Sequence, residues 1–109
     1  MAQNDISQLS FYKKLGIQDA KREITLGNLN VEDEKDFWND QKNFEALLKK
    51  KNRRHYQSYL NGKYQVYREY QILCAADCNL SETFSRRMAF YLIKGESVGT
   101  EGFVLELNK

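Results

Sequence analysis

The pair Asn61-Gly62 stands between two tyrosine-rich runs, Tyr56-Gln57-Ser58-Tyr59-Leu60 and Tyr64-Gln65-Val66-Tyr67, and no other feature of the sequence restricts the fold as much. A two-residue type I′ turn needs positive φ at both central positions, a conformation that Asn and Gly adopt at least cost. The pair therefore predicts a β-hairpin over roughly residues 53–73, in the register that sets Tyr59 against Tyr64, Gln57 against Val66, Tyr56 against Tyr67 and Arg54 against Glu69. A competing pattern runs a helix through Tyr56 and Leu60, breaks it at Asn61-Gly62, and resumes it with Tyr64, Tyr67, Gln71, Cys74 and Cys78. The strand preference of Tyr, Val and Ile and the cost of Gly inside a helix favour the hairpin.

Helical patterns flank it. Ile6, Leu9, Leu15, Ile17, Ala20 and Ile24 keep helical spacing after a cap at Asn4 or Asp5, with Gly16 as a kink and a turn at Thr25–Asn30. Asn30 then caps a second helix that carries acids in its first turns, Phe37, Gln41, Phe44 and Leu48 on one face, and Lys49, Lys50 and Lys51 at its end. Ser81 caps a third helix over Glu82–Lys94, with Gly95 as its stop, although Met88–Ile93 also reads as a buried strand. Gly102 to Leu107 reads as a closing strand after a glycine-rich, mobile connector. The expected fold is thus α+β, with two N-terminal helices, the Asn-Gly hairpin, a further helix or strand, and a C-terminal strand in a small antiparallel sheet packed on helices. An all-α bundle is the alternative.

A chain of 109 residues makes one domain, 1–109. Its longest apolar run, Met88–Ile93, falls far short of a membrane span, and the N-terminus lacks the pattern of a secretory signal. The expected location is cytoplasmic, without membrane association. Cys74 and Cys78 are too few for a disulfide framework and too close to pair along a straight strand or helix, so reduced, buried thiols are expected.

Catalytic chemistry finds no support in the residue pattern. The two cysteines and His55, the one histidine, lack the second ligand pair that a zinc site needs. A Cys nucleophile served by His55 has no local signature. Gly95, Gly99 and Gly102 match neither the P-loop nor the dinucleotide fingerprint. The acids between Glu32 and Asp40 read as a solvated helix face. No enzyme activity, cofactor or metal is expected.

The binding signal is the basic run Lys49-Lys50-Lys51-Asn52-Arg53-Arg54-His55-Tyr56 leading into the tyrosines. Helix-dipole complementarity accounts for part of this charge split. The remainder points to a small non-enzymatic protein-binding module, an adaptor or inhibitor-like regulator, whose partner meets Lys50, Lys51, Arg53, Arg54, His55, Tyr56, Tyr59, Tyr64 and Tyr67. Binding of single-stranded nucleic acid or DNA through the same residues is the alternative, because basic grooves beside aromatic platforms bind single strands. A helix-turn-helix over Gln71–Phe90, with Arg86 and Arg87 on phosphates, is a further form of it.

Overall fold

The computed structural model describes residues 2–26, 30–74 and 80–107, and every element among them is a helix. In chain order these are α1 (Ala2–Thr25), α2 (Val31–Lys51), α3 (Arg53–Cys74) and α4 (Glu82–Leu107). The fold is the all-helical bundle, and the α+β expectation is overturned. The segment assigned to the hairpin is α3, the C-terminal strand lies within α4, and α4 continues through Gly95 rather than stopping there. The Gly27-Asn28 centre of the expected turn lies outside the described residues.

The boundaries follow local chemistry. Asn30 has extended backbone angles and its Oδ1 accepts the Asp33 N–H at 2.8 Å, which caps α2 as its sequence predicts. Asn52 closes α2 with its own N–H on the Leu48 carbonyl and opens α3 by accepting the His55 N–H on Oδ1 at 3.1 Å. One residue therefore serves two helices and forces a sharp corner. Ser81 caps α4 as expected, its Oγ accepting the Phe84 N–H at 3.0 Å. That hydroxyl also donates to Glu34 on α2 at 2.7 Å, so Glu34 is buried rather than part of a solvated face.

Helix α3 packs against all three other helices. It runs parallel to α1, with Ser58 meeting the Leu9 carbonyl and Tyr67 meeting Glu23 further along both. It runs antiparallel to α4, with Tyr67 near Phe84 and Leu60 near Gly95. The core holds Ala20, Trp38, Leu48, Tyr59, Leu60, Tyr67, Phe84, Met88 and Tyr91.

Asn61-Gly62 misleads because glycine answers two different demands. In α3 Gly62 supplies closeness: a Cβ placed there would sit 2.1 Å from the Lys13 carbonyl oxygen of α1. Gly16 is its counterpart, where a Cβ would lie 2.1 Å from the Tyr59 carbonyl oxygen, so Gly16 makes a contact rather than a kink. Removing both Cβ atoms lets the two helix backbones touch. The local cost of Gly in a helix, about 1 kcal/mol, is offset by packing that no larger residue allows.

Cys74 is disulfide-bonded, contrary to the reduced thiols expected. One straight element through both cysteines would keep them apart, but α3 ends at Cys74. Cys78, the other cysteine of the chain, lies outside the described residues.

Gly62→Ala tests the α1–α3 crossing. Overpacking against backbone should cost about 1–3 kcal/mol in urea denaturation, whereas Gln65→Ala, on the exposed face of α3, should stay within about 0.5 kcal/mol of the parent. A Gly62→Ala protein more stable than its parent would contradict the crossing.

Candidate functional site

Among the described residues side-chain chemistry gathers at a closed site and at an open one. The closed one is a polar network inside the bundle. Lys63 on α3 has 0% exposure, and its Nζ donates to Glu23 of α1, to Glu45 of α2 at 3.3 Å and to the Tyr91 hydroxyl of α4 at 2.9 Å. Its ammonium also lies 5.0 Å from the Tyr59 ring centroid and 4.4 Å from that of Tyr91. One cation thus touches all four helices.

The surrounding groups complete it. Tyr67 donates to the second oxygen of Glu23 at 2.7 Å. Tyr91 donates to Glu45, and Arg87 donates to Glu45 at 2.6 Å and to the Tyr91 oxygen at 2.7 Å. Tyr59 donates to Asp19 and accepts from Gln41. Two buried cations therefore face two buried carboxylates, and each buried tyrosine hydroxyl donates to a carboxylate. Ionised pairs survive burial only with this degree of hydrogen bonding.

Burial shifts the titration of these groups. Desolvation raises the Glu23 carboxyl above its ordinary value, with Lys63 and Tyr67 opposing it. Desolvation likewise lifts the phenols of Tyr59, Tyr67 and Tyr91, reinforced by the carboxylates beside them. Burial works against the Arg87 cation, but Tyr91 and Glu45 outweigh it and hold its value above the ordinary one. All three phenols stay protonated donors at neutral pH.

Arg87 stacks near Trp38, Phe90 and Tyr91 in the interior, so it does not present itself to phosphates as the helix-turn-helix pattern required. Arg86 is exposed and pairs with Glu82 one turn earlier.

The open site lies at the α2–α3 corner. Of the residues that the sequence nominates for partner binding, Lys50, Lys51, Arg53 and Arg54 are exposed there, and His55 and Tyr56 are half-buried beside them. Tyr56 packs under Lys49, whose Nζ lies 5.6 Å from its ring centroid, and burial raises its phenol above the ordinary value. Tyr59 and Tyr67 are at 0% exposure in the network and offer no surface. Tyr64 is half-buried further along α3, its hydroxyl accepting from Arg68 at 2.7 Å and its Cβ against Gly95. Six of the nine residues thus stand at the corner, Tyr64 lies half-buried further along α3, and Tyr59 and Tyr67 belong to the core, where alternating strand faces had not placed them.

The corner borders a cleft of about 450 Å³ between α1 and the start of α3, lined by Gln8, Phe11, Tyr12, Lys51, Asn52 and His55. Phe11 is 58% exposed and meets Tyr12 edge to face, while Tyr12 stacks on His55 at 4.6 Å. The His55 Nε2 is buried and finds no hydrogen-bond partner among the described residues. Among those residues no group of His, Cys, Asp or Glu side chains is arranged to hold a metal ion.

No protein-family model, curated protein or solved structure matches this chain.

Sequence reading overlooked Lys63, Glu23 and Glu45, though a signal exists. Each carries a charge on a helical stripe of apolar residues: Lys63 between Tyr59 and Tyr67, Glu45 between Trp38 and Leu48, Glu23 beside Ala20 and Ile24.

Lys63→Met leaves Glu23 and Glu45 buried near each other without their shared cation and should cost about 3–5 kcal/mol at neutral pH. A carboxyl whose folded pKa is raised contributes stability that is present below its unfolded value and is lost as pH rises through its folded value. Losing the cation raises Glu23 further. The deficit of Lys63→Met against the parent should therefore shrink as pH falls from 7 toward 5, measured by urea denaturation. A deficit that is small, or that grows on acidification, would contradict the ionised network.

Proposed function

We propose that this chain is a small non-enzymatic protein-binding module that meets its partner at the basic corner where α2 ends and α3 begins. The observation that carries this reading is the run of exposed cations at one corner, Lys49, Lys50, Lys51, Arg53 and Arg54, of which Lys51 lines a cleft that also holds the exposed Phe11. An apolar ring framed by charges is the composition of a recognition surface.

The other concentration of chemistry, the Lys63 network, supports a structural rather than catalytic role. Its carboxylates and hydroxyls are buried and spend their hydrogen bonds on one another, which leaves no reacting atom within reach of a substrate. Among the described residues no helix is long and apolar enough to cross a membrane. The disulfide-bonded Cys74 weighs against the cytoplasmic setting, where thiols are kept reduced. The burial of Tyr59 and Tyr67 removes two of the rings on which a nucleic-acid strand was expected to stack.

Changing Lys50, Lys51, Arg53 and Arg54 together to Gln should alter stability by at most a few tenths of a kcal/mol per site. Immobilised parent protein should retain a protein partner from a native extract with or without nuclease, and the four-site variant should lose it. Retention that disappears with nuclease, or micromolar binding of a single-stranded oligonucleotide at physiological salt that depends on those four cations, would replace the protein-binding reading with a nucleic-acid one.

A further inference from the structure

Resting on the protein-binding reading, we propose that the cleft between α1 and the α2–α3 corner receives a linear peptide segment in which an Asp or Glu side chain neighbours a leucine or an aromatic side chain. The cleft has two unlike walls. On the α1 side Phe11 turns most of its surface to solvent, although the edge contact with Tyr12 holds it in place. Apolar surface of this size beside a concavity gains by being covered. On the other side Lys51 lines the cleft, and its sequence neighbours Lys50 and Arg53 are exposed at the same corner.

Charge complementarity thus specifies an anionic group on one side, and Phe11 specifies an apolar group next to it. The volume of about 450 Å³ suits a few side chains. Gln8 and Asn52 line the same space with amide groups that suit peptide backbone. Beside them the His55 Nε2 is a polar atom that the described residues leave unsatisfied.

A carboxylate-bearing peptide fits better than a nucleic-acid strand. Tyr12 and His55 already stack on each other, which occupies one face of each ring that a base would need.

The test is fluorescence anisotropy with the full chain and three probes: a short labelled peptide alternating Asp and Glu with Leu and Phe, the same peptide with Asn and Gln in place of the acids, and a labelled single-stranded oligo-dT. The acidic peptide should bind saturably and the amide peptide at least about tenfold more weakly. Phe11→Ala and Lys51→Gln should each weaken the acidic peptide by about fivefold or more, while Arg86→Gln, an exposed change on α4, should leave it unchanged. Lys51 is exposed, so Lys51→Gln reads the site even if Phe11→Ala disturbs packing.

No binding of the acidic peptide would overturn the proposal, as would binding indifferent to Phe11→Ala and Lys51→Gln, or oligo-dT binding as tightly as the peptide. A protein partner captured in the presence of nuclease by both the parent and Phe11→Ala, and lost by the four-site variant, removes the cleft and leaves the protein-binding module standing; nuclease-sensitive capture removes the module itself.

Discussion

Lys63 carries a full charge at zero exposure, and that constraint organises the bundle. A buried ammonium without partners is costly enough to unfold a domain of this size. Here its partners come from α1, α2 and α4 at once. The helices must therefore assemble in one arrangement for the charge to be satisfied. An apolar core of similar volume often equals or exceeds the stability of such a network, so its clearest consequence is to set which faces meet. Trp38, Phe84, Tyr67 and Tyr91 supply the surrounding apolar surface and ring contacts.

The glycine crossing serves the same centre. Gly16 and Gly62 bring the α1 and α3 backbones into contact, and Lys63 follows Gly62 directly in sequence. The close approach is what brings Glu23 within reach of Lys63 and of the Tyr67 hydroxyl one turn on. A wider helix separation would leave these charges apart in a low-dielectric interior, where separation is most costly. Packing and electrostatics here have a single geometric cause.

The parts of the fold that sequence made legible were those written in local chemistry. Asn30 and Ser81 announce helix starts through side chains that bond their own next turn, and the structure has both caps. The basic corner was visible as a run of adjacent cations. The hairpin error came from reading Asn61-Gly62 and the tyrosines as local signals when their reasons are tertiary: Gly62 answers to Lys13, and Tyr59 and Tyr67 answer to Asp19 and Glu23. No local rule carries contacts 40 and 44 residues apart in sequence. Phe11 and His55 illustrate the same limit, since residues so far apart share a cleft only once α1 and α3 have crossed.

The buried ionisable groups thus belong to the scaffold, which links α1, α2, α3 and α4 through one centre. The central claim is that Lys63 and Glu23 form an energetically coupled pair inside the bundle. A double-mutant cycle with Lys63→Met, Glu23→Gln and the double variant, measured by urea denaturation at neutral pH, tests it most directly. The network predicts a coupling of about 2–3 kcal/mol, and additivity within about 0.5 kcal/mol would contradict it.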